Sequence, residues 1–172
     1  MSYRKQMTRV ACALAGAFAL AAGPAFAQGK VKVGFMLPYT GTYAALGNAI
    51  TNGFKLAVAE NGGKLGGRDI EYFTVDDESD PAKAPENVNK LIKRDQVDVI
   101  VGTVHSGVAM AMAKAARDNN ALLVIPNAGE DSITGAMCAP NIFRTSFTNS
   151  GPGYAMGKVA ADKGYKRVVT LT

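Results

Sequence analysis

The sequence has no tryptophan, one histidine and two cysteines among its 172 residues. Each scarcity removes a class of function. A lone imidazole, His105, and a single thiol beyond residue 27, Cys138, cannot build a transition-metal site, which needs several His, Cys or acidic ligands at set spacing. The same poverty argues against nucleophilic catalysis: Ser106 adjoins His105, but neighbouring side chains diverge and no G-x-S-x-G surrounds the serine. A phosphate loop of the Walker kind is missing. Gly151-Pro152-Gly153-Tyr154-Ala155-Met156-Gly157 matches a dinucleotide fingerprint only superficially, since a proline interrupts it and no suitable strand precedes it. No enzymatic activity, cofactor or metal is expected. Aromatics make up 8% of the chain and the basic residues are scattered, so nucleic acid is not an expected partner either. Internal repeats and low-complexity tracts are absent.

The amino-terminal apolar run, Val10 to Ala22, is thirteen residues long. That falls short of the roughly 20 needed to cross a bilayer. Arg4, Lys5 and Arg9 precede it, and Ala25-Phe26-Ala27 supplies a small-x-small cleavage pattern before Gln28, so residues 1–27 read as a secretory signal peptide. Cys12 lies too early in the run for a lipoprotein cleavage site. Without the signal, Lys plus Arg falls from 19 to 16 against 14 acids, leaving a net charge near +2. Cys138 is then the only thiol in an oxidising compartment, either buried and free or paired with something outside the chain.

The stretch from Val97 to Gly129 organises the rest. Val97, Val99, Ile100 and Val101 form a β-branched block closed by Gly102, and Leu122 to Ile125 form a second block closed by Pro126. Between them Val108, Met112 and Ala115 recur at helical spacing, with Lys114, Arg117 and Asp118 on the other side. This is a βαβ unit with parallel strands, and both following turns open where open α/β sheets bind ligands. The first turn holds Thr103, His105 and Ser106. Ser106 is the expected N-cap, and a helix N-terminus with a hydroxyl suits a carboxylate or phosphate. The second turn is Asn127-Ala128-Gly129. Two readings stand: Ser106 and Asn127 merely cap and turn, or they face a ligand.

Around this unit, a strand is expected over Lys30 to Leu37, then a turn in which Thr40 or Thr42 caps a helix from Ala44 to Glu60. Leu65-Gly66-Gly67-Arg68 is a tight turn into an alternating strand carrying Ile70, Tyr72 and Val75. The acidic cluster from Asp76 to Asp80 lacks the glycine and distal glutamate of a calcium loop, and reads as a solvated strand end with helix-capping acids. A helix starts near Ala84 with Val88, Leu91 and Ile92 inward. Glu130 to Pro140 reads as loop, Ile142 to Thr145 as extended, and the Gly/Pro stretch at 149–153 as a break. A helix from about Tyr154 to Lys163 and a strand from Lys166 follow. Alternating strands and helices predict a three-layer α/β/α sandwich with a mainly parallel sheet. The chain stops inside a predicted strand, so it reads as a fragment.

KVGFMLPYTGTYAALGNAITNGFKLAVAENGGKLGGRDIEYFTVDDESDPAKAPENVNKLI, DVIVGTVHSG, LLVIPNAG and NIFRTSF, in this order behind a signal peptide, resemble the periplasmic solute-binding proteins of ABC transporters for branched-chain amino acids and related ligands. The resemblance implies a type I binding-protein fold of two lobes joined by three hinge strands and closing on the ligand. It implies a first lobe over 28–148, the truncated start of a second over 149–172, periplasmic location, delivery to ABC permease subunits, and a monomer when full-length. In that family the first lobe grips the ligand carboxylate. The position matching Ser106 gives hydroxyl and N–H, that matching Asn127 a backbone carbonyl to an ammonium group, and that matching Gly129 an N–H. The resemblance thus places ligand contacts on His105, Ser106, Gly107, Asn127, Ala128 and Gly129, with Tyr39, Tyr43 and Leu46 shaping a side-chain pocket. Leucine-type members often carry tyrosine where this chain has Leu46 and a hydroxyl residue where it has Gly129. The PYTGTYAALG and TVHSGVAMA segments look closer to members that bind benzoate-type acids. The alternatives are a receptor's ligand-sensing domain, a secreted flavodoxin-like enzyme, or a non-functional truncated product.

Overall fold

The computed structural model describes residues 29–169. The expected signal peptide, residues 1–27, lies outside the described residues, as do 170–172.

Strand β1 (Val31–Leu37) has almost every side chain buried, as a central parallel strand must, because helices cover both of its faces. Helix α1 (Ala44–Glu60) follows and stops at Asn61, whose N–H still reaches back to the last turn. Neither Thr40 nor Thr42 caps it. Tyr43 holds the N-cap position without a side-chain bond, and the Thr40 hydroxyl is drawn to Asp76 instead. What reads as a simple turn at 65–68 is a hairpin: β2 (Lys64–Leu65) runs antiparallel to β3 (Arg68–Asp76). Gly66 and Gly67 both have positive φ, which suits a two-residue hairpin turn and which side-chain-bearing residues adopt at a cost. Helix α2 (Ala84–Asn89) takes Pro85 in its first turn and runs on as a π turn over Lys90–Arg94. Then come β4 (Val99–Val101), α3 (Ser106–Asp118) and β5 (Leu122–Ile125).

The carboxyl-terminal quarter departs further from expectation. A short helix, α4 (Asp131–Thr134), occupies part of the stretch read as loop, with the Glu130 carboxylate accepting from the Ser132 N–H at its start. After β6 (Ile142–Arg144), helix α5 (Ser150–Asp162) begins four residues before the expected Tyr154. The Gly-Pro-Gly run lies inside its first turn, where a proline's missing N–H would have had no intrahelical partner anyway. No residue of α5 is buried. The strand expected from Lys166 is not formed over 166–169.

The sheet order is β2-β3-β1-β4-β5-β6, parallel except for β2. Chain order reverses at β1, whose neighbours are β3 on one side and β4 on the other. A crevice at the carboxyl ends of β1 and β4 follows from that topology. Helices lie on both faces, an α/β arrangement. Met36, Ile100, Leu123 and Ile125 turn toward α2 and α3 and pack on Val88, Leu91, Val108 and Met112. Val33, Phe35, Leu37 and Val101 turn the other way, toward Ile50 and Phe54 of α1. There Phe35 meets Phe54 edge-on at 5.2 Å and stacks on Tyr72 at 5.7 Å. Each large aliphatic or aromatic side chain fully buried this way contributes about 1.5–3 kcal/mol. Helix α1 spans only half of its face. A groove of about 670 Å³ remains beside it, walled by Val31, Ile50, Phe54, Val99, Val101 and Val124.

Gly102 sets how closely the sheet's two halves meet at the crevice. A Cβ there would lie 1.9 Å from the Met36 carbonyl oxygen. Only glycine lets the end of β4 pass so near the end of β1.

Candidate functional site

Three turns converge at the carboxyl ends of β1, β4 and β5. The first runs from Pro38 to Tyr43. Its Tyr39 N–H donates to Asp76 Oδ1 at 2.9 Å, and its Tyr39 hydroxyl meets Thr51 Oγ1 at 2.8 Å. The Tyr39 ring packs against the α1-side core, so this tyrosine is committed to the fold more than to an open pocket. Burial, with help from Asp76 and Asp77 and against the Thr51 bond, raises its phenol pKa. Tyr43 is different: its ring stands 6.3 Å from the His105 ring, bringing two of the expected site residues together. Leu46, on the first turn of α1, is 44% exposed.

The second turn carries Gly102 to His105 into α3. Ser106 is not the N-cap. His105 holds that position in extended geometry, and its Nδ1 accepts from the N–H groups of Gly107 (3.1 Å) and Val108 (3.4 Å). The imidazole therefore takes two of the helix-end donors that were expected to face a ligand. A Cβ on Gly107 would sit 2.9 Å from that ring, so glycine is what lets the histidine fold back. Two consequences follow. With Nδ1 accepting, the neutral ring carries its proton on Nε2, which is left as a donor. Ser106, now the first helical residue, keeps its own N–H without a partner among the described residues, and its hydroxyl meets Asn149 Nδ2 at 3.3 Å.

The third turn is Asn127-Ala128-Gly129. The Asn127 carbonyl already accepts the Ser146 hydroxyl at 3.1 Å. Ala128 has its side chain in the core and its N–H on the Thr103 carbonyl at 3.1 Å, so only its backbone borders the crevice. The Gly129 carbonyl accepts Asn149 N–H at 2.7 Å, and a Cβ on Gly129 would lie 2.3 Å from Asn149 Oδ1. Small size at 129 is thus what admits Asn149.

Asn149 was not anticipated, nor were Asp76 and Asp77 in their observed roles. Asn149 occupies the N-cap of α5 but makes no capping bond; its side chain reaches across to Ser106 instead. The next residue, Ser150, is fastened to Asp131 through both its N–H (3.1 Å) and its hydroxyl (2.9 Å). The acidic cluster is not simply a solvated strand end. Asp77 is fully buried, accepts the Ser79 N–H at 2.8 Å and is bonded to the Thr103 hydroxyl. Desolvation raises its carboxyl pKa, more than the bonds from Thr103 and Ser79 lower it. Asp76 goes the other way. Desolvation pushes it up, but bonds from the Thr40 hydroxyl and the N–H groups of Tyr39, Glu78 and Thr40 outweigh that, and its pKa is lowered. Glu78 is in turn paired with Lys83 at 2.6 Å on the exposed side.

The arrangement can therefore present neutral donors, Ser106 N–H and hydroxyl, His105 Nε2–H and the Asn149 amide, beside the Tyr43 ring. Among the described residues no group of three or more His, Cys, Asp or Glu is placed to hold a metal ion. No helix among them is long and apolar enough to cross a membrane.

Comparison with known proteins agrees with this architecture. A "Leu/Ile/Val-binding protein homolog 6" of Brucella abortus (strain 2308) is 31% identical over 166 residues, covering 96% of this chain and 42% of the relative. An ABC-transporter solute-binding protein from R. palustris, solved in complex with benzoate, is 57% identical with a TM-score of 0.76, over 79% of this chain and 38% of that one. A second, from Rhodopseudomonas palustris BisB5 in complex with 3,4-dihydroxybenzoic acid, is 34% identical with a TM-score of 0.72, over 80% and 37%. The chain thus spans about two fifths of the length of the proteins it matches. The family model described as "Periplasmic binding protein" matches residues 30–172, and the chain belongs to that family.

Proposed function

We propose that this chain forms part of a periplasmic substrate-binding component of an ABC importer, and that its crevice takes the carboxylate of a small aromatic acid of the benzoate class. The protein binds and hands over its ligand to permease subunits at the membrane without transforming it, after export directed by residues 1–27. The observation that carries the reading is the pairing at the switch point. Ser106 N–H and hydroxyl stand beside His105, whose capped ring offers Nε2–H, and the Tyr43 ring lies 6.3 Å from that imidazole. A carboxylate needs donors, and a benzoate needs an aromatic wall next to them. The benzoate complex of the 57%-identical relative supports the same class.

A branched-chain amino acid is the second reading, favoured by the naming of the Brucella relatives. Its ammonium group would need an acceptor, and the Asn127 carbonyl, which accepts the Ser146 hydroxyl with one of its two lone pairs, is the candidate. Isothermal titration of the full-length polypeptide with benzoate and with leucine decides between them. Benzoate is expected to bind, and Ser106→Ala to weaken it by about tenfold or more, the worth of a hydrogen bond to a charged group. Binding of leucine alone, or an unchanged benzoate affinity in Ser106→Ala, breaks the reading.

A further inference from the structure

The turns that border the crevice are joined by a continuous set of hydrogen bonds that no ligand contact requires. It starts at the β1 loop, where Tyr39 N–H and the Thr40 hydroxyl donate to the two oxygens of Asp76 at 2.9 and 2.7 Å. The peptide link to Asp77 carries it on, and the Asp77 N–H closes β3 onto the Leu37 carbonyl at 3.1 Å. Asp77 then bonds the Thr103 hydroxyl, 26 residues away in the β4 turn. Thr103 passes it to the β5 turn, its carbonyl accepting the Ala128 N–H at 3.1 Å. Asp77 and Thr103 are both fully buried.

A buried carboxyl is costly to keep unless its oxygens are bonded, and Asp77 is kept by the Thr103 hydroxyl and the Ser79 N–H. Its placement is explained by what Thr103 carries: His105 and Ser106 lie two and three residues on, and Ala128 leads directly to Gly129. We propose that Asp77 and Thr103 are positioning residues of the binding site, fixing the β4 and β5 turns relative to the β1 loop so that Ser106, His105 and Gly129 meet one ligand carboxylate. Asp77 is the residue through which the end of β3 acts on the ligand, although it touches no ligand itself. The inference rests on the crevice being the ligand site, and its test separates the two.

The experiment compares Thr103→Val, Thr103→Ser and Asp77→Asn in the full-length polypeptide. Benzoate affinity is measured by titration and amide exchange at Ala128 by hydrogen–deuterium exchange without ligand. Removing the hydroxyl in Thr103→Val is expected to weaken benzoate binding by about tenfold and to speed exchange at Ala128, while Thr103→Ser restores both. Asp77→Asn, which keeps the shape and one acceptor, is expected to fall between. Equal affinities and equal Ala128 exchange in Thr103→Val and the parent overturn the proposal. If the parent binds no benzoate, the functional reading fails instead, and unchanged Ala128 exchange in both Thr103→Val and Asp77→Asn still overturns the positioning role. Should Thr103→Val not fold, the Asp77→Asn and Thr103→Ser pair carries the same comparison.

Discussion

Among the described residues the two faces of the sheet are covered to different extents. On the α2–α3 face, Ile100, Leu123 and Ile125 are fully buried and interleave with Leu91, Val108 and Met112. On the α1 face, one helix meets β1 and β3 closely but leaves Val99 and Val124 lining an open groove, with Leu122 39% exposed. Adjacent residues on one strand show the contrast, because successive side chains of a strand point to opposite faces. Leu123 of β5 is sealed where Leu122 is in contact with water. Helix α3, which presents His105 and Ser106, packs on the closed face through Val108 and Met112. The candidate site draws on both faces, His105 and Ser106 coming from α3 and Tyr43 from the start of α1.

Truncating the sealed side should have the largest effect. Leu123→Ala is expected to destabilise the fold by about 2–5 kcal/mol, from lost transfer energy and the cavity left behind. Urea unfolding measures this, and a cost under about 1 kcal/mol would mean the closed face is less tightly packed than described. A smaller effect, with its sign set by pH, belongs to the carboxylate buried at the top of the sheet. Asp77 has a raised pKa when folded, so its contribution to stability is present at low pH and is lost as pH rises through that folded value. Asp77→Asn should therefore gain on the parent as pH increases above the ordinary aspartate value of about 4, in urea midpoints taken at several pH values. A midpoint difference that stays constant with pH would contradict the assigned direction. Asp76, with its pKa lowered, acts in the opposite sense, adding stability that is lost as pH falls. The smallest change is expected on the open face, where Leu122→Lys should alter stability by no more than about 0.5 kcal/mol. A loss as large as that of Leu123→Ala would show that the two faces are equivalent after all.

These contrasts also explain which parts of the molecule were readable from sequence. β1, α1 and β5 are written in apolar periodicity, and their extents came out within a residue of expectation, while α3 was legible as a helix without its bounds. The β2 hairpin was invisible because two exposed residues carry no pattern. The start of α5 was hidden by glycine and proline, which stop helices in general but are tolerated in a first turn. Within the site, the helix end and the Asn127–Gly129 turn were legible as local devices. Which of two adjacent residues caps was not, since His105 and Ser106 can both accept N–H bonds and only the backbone geometry chooses between them. The bonds from Asp77 to Thr103 and from Asn149 to Ser106 span 26 and 43 residues and leave no periodic trace.

One further consequence concerns α5. Its first turn is fastened by Ser150 to Asp131 and by Asn149 to Gly129 and Ser106, while none of its residues is buried along its length. The foot of α5 is thus tied to the turn that carries Ser106, so the Asn149 amide links the start of that helix to the Ser106 hydroxyl. Moving Asn149 off the Ser106 hydroxyl therefore also means moving it from the Gly129 carbonyl, because one residue makes both bonds.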